Sequence, residues 1–584
     1  MASVGTRAAS ARSVHPFHRF LDEDWTRWLD EYPENSTYFG APGRNDRWTD
    51  DSSDGIARRR RHLAESLATV REVDRADLPP PERLSYDLYR ACLEEAEAGL
   101  PFGGDPFPYR LGIPHNLWMP INQMEGIHLL AGDILELQPR ETAHNFADLL
   151  ARLERLPTAI DQNIALLEAG LRAGYSPPRI AIRGVPEQVR RLVPPEVRES
   201  PLLRPFLAPA PSLPPAERER LLAAATRALT EQVAPAVHRL NEYLVDQYLP
   251  ACRESVGTSE LPNGRDGYAY LVRWETTTDL TPQQVHEIGL SEVRRIRAEL
   301  EARKAEAGFT GSLREFNEFL RSDPRFFWSS AEELLDGYRV IAKKTDPALG
   351  RLFGRLPRLP YGVLPVPKFK EESSPTAYYQ PGAPSTGRAG YFFANTYQVG
   401  ARPKWEMEAL TFHEAVPGHH LQISLAQELE ELPEFRRNSG PTAFVEGWGL
   451  YAEGLGDELG FYEDPYSKIG QLNYDMWRSV RLVVDTGIHV MGWSRERAIE
   501  FFRENSGKSD VDIAVEVDRY IVWPAQALAY KMGQLKFREL RTLAEKALGD
   551  RFDVRAFHDV VLAEGALPLR DVEVRVREWI RSRS

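Results

Sequence analysis

Residues 411–422 read Thr-Phe-His-Glu-Ala-Val-Pro-Gly-His-His-Leu-Gln, which gathers three imidazoles and a carboxylate in one short run. Imidazole and carboxylate groups ligate divalent metals, and together they suit zinc. A plain zinc helix carries His-Glu-x-x-His, with the two imidazoles one turn apart on one face. Here proline occupies position 417, and the next histidines, His419 and His420, stand six and seven residues after His413. In an unbroken helix they would lie ~9–10 Å further along the axis. Zinc–nitrogen bonds of about 2.0–2.1 Å cannot bridge that gap. A shared metal therefore requires an interrupted helix. Pro417 supplies the interruption, because it lacks a backbone donor and its ring would strike the carbonyl of residue 413. Gly418 then permits an unusual backbone angle. Excising two residues restores the normal spacing and favours His419 as second ligand. His420 is the alternative, and is otherwise a supporting or substrate-facing group.

A catalytic zinc keeps three protein ligands and one open position. The segment Thr442-Ala443-Phe444-Val445-Glu446-Gly447-Trp448-Gly449-Leu450-Tyr451-Ala452-Glu453 offers the third. Glu446 sits in apolar surroundings, where a carboxylate needs a partner that a cation would supply. Glu453 lies seven residues on, on the same helix face, placed to orient a ligand imidazole. By contrast, His286-Glu287-Ile288-Gly289-Leu290 begins as His-Glu but has leucine at the second ligand position, and reads as structural.

These residues need helices to hold them. The pattern is mainly α with a small β-sheet. Leucines 149, 150, 153, 156, 166, 167 and 171 recur at helical spacing. Helices are expected over about 18–31 and 216–249, and a proline-rich connection over 192–215. Thr281-Pro282-Gln283-Gln284 opens another helix, with Thr281 as cap, Pro282 at the first helical position and Gln284 at the third. The alternating run Gly390–Thr396 is the clearest strand. A lobe boundary is expected near 260, giving an N-terminal helical lobe, 1–260, and a catalytic lobe, 261–584, within one continuous structural unit.

Composition narrows the partners. A formal charge of −13 over 584 residues argues against a nucleic-acid partner. The basic run Arg58–Arg61 reads as a solvated helix face. Two cysteines exclude a disulfide framework. The opening residues show no secretory signal and no run is long enough to span a membrane, so the expected setting is cytoplasmic and membrane-free.

The His-Glu-Ala-Val-Pro-Gly-His-His and Phe-Val-Glu-Gly-Trp runs, with Trp523-Pro524-Ala525-Gln526-Ala527-Leu528-Ala529-Tyr530-Lys531, resemble the bacterial family catalogued as domain of unknown function 885. The similarity extends over most of the chain, including Thr276–Pro282. That family is similar in turn to gluzincin-like zinc metallopeptidases of the thimet oligopeptidase and thermostable carboxypeptidase kind. There a Phe-His-Glu-Phe-Gly-His run supplies two histidines and a Val-Glu run the third ligand, with a second Glu seven residues later. The resemblance implies a large two-lobed helical fold with a small sheet beside the active-site cleft, and a single zinc ion on His413, His419 and Glu446. This chain departs from the peptidases by the two-residue insertion Val416-Pro417.

The expected activity is a zinc-dependent hydrolase of short peptides, with Glu414 as general base. Tyr530 and His489, the latter oriented by Asp485, are candidate donors to an oxyanion. Arg481, Asp485 and His489 recur every four residues along one helix face. Arg519 or Lys531 is expected to bind a substrate carboxylate, and Tyr391 to lie on a strand that binds extended substrate along its edge. The alternatives are hydrolysis of non-peptide amide or isopeptide bonds, and a non-catalytic binding protein stabilised by a metal.

Overall fold

The computed structural model describes residues 15–583, apart from 112–113, 209–212, 369–370, 372–373 and 383–386. The chain is mainly helical and carries one three-stranded sheet. Local signals set many helix ends. Thr281 and Gln284 form a reciprocal capping box that starts Pro282–Glu306, with Pro282 in the first turn. The leucine-rich stretch forms Ile127–Leu137 and Ala143–Arg172, the second opened by a Thr142–Asn145 capping box. No helix among the described residues is long and apolar enough to cross a membrane.

The cores run across the boundary expected near 260. One core joins opening residues such as Trp28, Leu63 and Tyr89 to Phe444, Trp448, Phe537 and Val576. Residues 121–252 build a separate core around Leu149, Leu153 and Val237. Residues from Phe17 to Tyr109 thus pack on the carboxy-terminal helices. Helical periodicity identifies an apolar face but not the element that covers it. The basic run behaves likewise. Arg58 pairs with Glu31 at the surface, but Arg59 is wholly buried, bonded to the Asp50 carbonyl and to Asp51, so the run is not one solvated face.

The sheet has the order β1 (Tyr361–Pro365), β3 (Gly390–Ala394), β2 (Ala377–Gln380). β1 pairs in parallel and β2 antiparallel with β3, so that Phe392 faces both Val363 and Tyr379. Gly390, Phe392 and Ala394 point inward, and Phe392 packs edge-on to Tyr338. That core also contains Met407, Leu410 and Phe412, which seats the sheet against the helix carrying His413. β3 is therefore the central strand. The substrate edge expected beside Tyr391 does not exist there, because both ladders are already occupied.

Behind Glu446 the helix Thr442–Gly454 packs on His558. His558 donates from Nδ1 to the Leu352 carbonyl at 2.8 Å, and its Nε2 lies 2.9 Å from the Tyr451 hydroxyl. Burial lowers its pKa to about 3. The unfolded chain takes up that proton near pH ~6.5, so the folded state loses stability as pH falls from that value towards 3. Parent and His558→Gln chains should therefore differ less in urea stability at pH 5 than at pH 7.5, by about 2 kcal/mol. A difference that stays constant with pH contradicts the buried neutral histidine.

Candidate metal centre

Met407–Glu414 ends at the predicted break, and a new helix starts at His419. Between them Ala415 leaves the helical region (φ −100, ψ −110), the Val416–Pro417 peptide is cis, and Gly418 adopts φ −79, ψ −128. The turn is tight. A Cβ at Gly418 would stand 2.0 Å from the His413 carbonyl oxygen, so only glycine fits. The His420 amide bonds back to the Ala415 carbonyl at 3.0 Å, and the Trp448 indole donates to the Pro417 carbonyl at 2.9 Å. The second bond ties the break to the helix bearing Glu446.

The break brings the expected groups together. The His413 and His419 rings lie 4.7 Å apart and nearly perpendicular. Their Nε2 atoms stand 3.3 and 3.5 Å from the same oxygen, Glu446 Oε2. One ligand atom from each of the three residues lies within 4.8 Å of the others. His413 Nδ1 is 2.8 Å from the buried Glu453 Oε1, which fixes the ring and aims Nε2 at the centre. Gly449 makes room for it, since a Cβ there would meet His413 Cε1 at 2.8 Å. Glu414 is buried on the same helix, outside the triad but close enough to act on His413 electrostatically.

Charge accumulates accordingly. Burial alone would lower the His413 pKa, yet Glu446 and Glu453 on its two ring nitrogens raise it to about 10. Burial would raise Glu446, but the two imidazoles hold it well below the usual carboxylate range. The centre is thus built to hold positive charge. Two nitrogens and one oxygen converging there, with one imidazole anchored by a carboxylate, fit a zinc-like dication.

His420 turns elsewhere. Its Nδ1 lies 2.9 Å from the Tyr379 hydroxyl on β2, its ring packs on Tyr361 of β1, and burial lowers its pKa to about 4. It joins the break to the sheet and stands outside the triad as a neutral packing group.

Other expectations are corrected. Lys531 cannot meet a substrate carboxylate, because it is fully buried on Asp475 at 2.6 Å and Glu292 at 2.9 Å. His489 is no oxyanion donor. Its Nε2 lies 2.9 Å from the Tyr520 carbonyl, and its Nδ1 accepts from the Thr258 amide. Asp485 does not orient it, and instead accepts from the Tyr268 hydroxyl and the Ala525 amide. Arg481, Asp485 and His489 share a helix face, yet each pairs with a different partner across it. His286 is structural as expected, 2.8 Å from the Thr486 hydroxyl. Tyr530 does lie at the centre, its ring stacked 6.4 Å from that of His413, and Arg519 Nη2 is 3.4 Å from its hydroxyl. Tyr391 is half-buried on the outward face of β3.

Sequence reading missed Arg478, which is buried with Nη2 3.7 Å from Glu453 Oε1. Its helical spacing from Arg481 gave no sign that it reaches the histidine-orienting carboxylate. A cavity of about 450 Å³, lined by Arg110, Trp274 and Arg436, includes none of the triad.

The family described as "Bacterial protein of unknown function (DUF885)" matches residues 33–576. Two solved structures are similar over almost their whole length. The crystal structure of "the putative lipoprotein from Colwellia psychrerythraea" is 28% identical with a TM-score of 0.89, covering 97% of this chain and 99% of that one. A "putative lipoprotein of unknown function from Shewanella oneidensis" is 16% identical with a TM-score of 0.73, covering 96% and 99%. The second likeness is one of fold alone. No curated protein matches the chain.

Glu453 anchors His413 without joining the triad. Glu453→Ala should weaken zinc retention about 10–100-fold in competition with a chelator. Unchanged zinc affinity would show that the anchor has no bearing on the centre.

Proposed function

This chain belongs to the bacterial DUF885 family, and from that premise we propose that it is a zinc-dependent hydrolase of peptide or other amide bonds. The observation that carries the reading is the convergence of the buried His413 and His419 with the half-buried Glu446, with Glu414 beside the triad and outside it. Three protein ligands leave a position for water and substrate, the pattern of a catalytic rather than a structural zinc. A metal kept only for stability would call for a fourth protein ligand, and the other histidine of the pair, His420, is engaged by Tyr379.

Bound there, a zinc ion supplies Lewis acidity and lowers the pKa of water towards ~7. The remaining chemistry belongs to side chains. Glu414 accepts the proton of the attacking water on a carboxylate oxygen, then returns it to the leaving nitrogen. The Tyr530 hydroxyl, beside Arg519, donates a hydrogen bond to the carbonyl oxygen as it gains charge. Glu453 keeps Nδ1 of His413 occupied, so that the ring cannot turn. The likeness to gluzincin-like peptidases noted from the motifs supports a peptide as substrate. As to compartment, the two free thiols among the described residues suit a reducing one. The similar Colwellia psychrerythraea protein, described as a putative lipoprotein, favours a different setting.

Glu414→Gln should retain zinc while kcat on a peptide library falls by about 10²–10⁴. An enzyme that cleaves as fast with glutamine at 414 refutes the base, and a zinc-loaded parent inert on peptides and small amides alike refutes the hydrolase.

A further inference from the structure

Next to the triad, three arginines crowd around one tyrosine. The Arg481 guanidinium carbon lies 4.5 Å from the Tyr530 ring centroid and that of Arg478 5.9 Å, while Arg519 Nη2 reaches the Tyr530 hydroxyl. The opposite edge of this arrangement is His413, stacked on the same tyrosine. Their acceptors are too few. Arg481 donates to the Tyr520 hydroxyl and to Glu516, each at 3.0 Å. Arg519 donates to Gln526 and lies 3.7 Å from the same Glu516. Arg478 stacks on Tyr474 and Trp477, and the carboxylate paired with it among the described residues is Glu453, at 3.7 Å, which is already engaged by His413.

Four guanidinium nitrogens are therefore buried with no hydrogen-bond partner among the described residues: Nε and Nη1 of Arg478, Nη1 of Arg481 and Nε of Arg519. Arg478 and Arg481 are 5% and 2% exposed. A buried charged donor without an acceptor is costly, and a cluster of them repels itself. Three cations share two carboxylates, one of which serves the triad. What the cluster lacks is one anion with planar acceptor oxygens, which the guanidinium fork matches in geometry.

We propose that Arg478, Arg481 and Arg519 form the seat for a substrate carboxylate on the leaving side of the bond that is cut. This rests on the hydrolase reading of the neighbouring triad and deepens it. One residue spans at most ~3.6 Å, and the Tyr530 ring touches both the seat and His413. An anion held there lies within one or two residues of the reacting carbonyl. A terminal carboxylate seated this way makes the protein an exopeptidase that trims from the carboxy end. An acidic side chain in the seat makes it selective for Asp or Glu after the cut.

Calorimetric titration of the zinc-loaded Glu414→Gln chain reads the seat without turnover. The probes are tetra-alanine, tetra-alanine amide and trialanyl-aspartate amide. At least one of the two acids should bind about tenfold or more tightly than the plain amide, a charge-assisted hydrogen bond's worth. Which acid does so identifies the source of the carboxylate. Adding Arg519→Gln or Arg478→Gln should abolish the preference, with circular dichroism confirming that each variant is folded. Equal binding of all three probes, no binding of any, or a preference that survives both substitutions overturns the proposal. An acid preference in a chain whose parent cleaves nothing sinks the hydrolase and leaves the seat. Turnover with no acid preference does the reverse.

Discussion

A carboxylate buried between two imidazoles is unstable unless positive charge lies among them. Among the described residues Glu446 is paired with no lysine or arginine, only with His413 and His419. Glu453 adds a second negative charge on the far side of His413. A proton on His413 meets this demand when nothing else does, which is why its pKa rises to about 10 despite burial. A dication meets it better, because it satisfies both nitrogens and the oxygen at once. The structure around the centre reads as a device for holding those three groups together, while Arg478 offsets part of the charge on Glu453.

The device is a broken helix clamped from two sides. Pro417 and Gly418 end one helix and start another, so that His419 returns towards His413. Trp448 holds the break to the Glu446 helix through the Pro417 carbonyl, and His420 holds it to the sheet through Tyr379. Further out, Lys531 draws Asp475 and Glu292 together and so links Pro282–Glu306, Pro465–Val490 and Ala529–Leu548. Breaking a buried charge pair of this kind by removing one partner costs roughly 3–5 kcal/mol. Lys531 thus contributes to the site as scaffold, by fixing the helices on which Arg478 and Tyr530 stand.

Much of the centre was legible because chemistry and local geometry coincide there. The proline at 417 excluded a plain zinc helix, and the six-residue interval then required the break that the structure contains. The carboxylate in an apolar run pointed to Glu446 for the same physical reason that now explains its environment. What failed was partner assignment across space. Periodicity put Arg481, Asp485 and His489 on one face, but a face of a buried helix meets several neighbours, and each residue found its own. Lys531 carried a charge that looked available until two distant acids closed on it. The strand at Gly390–Ala394 was recognisable from alternation, whereas its central position depends on β1 and β2, which have weaker patterns. Arg478 and Gly449 left no signal in one sequence, because their roles are defined only by what the fold brings against them.

Anomalous diffraction at the zinc edge, on crystals of the chain grown without chelator, tests the central claim most directly. One peak within bonding distance of His413 Nε2, His419 Nε2 and a Glu446 oxygen is the predicted result. No peak after zinc soaking, or a peak ligated by His420 in place of His419, would contradict it.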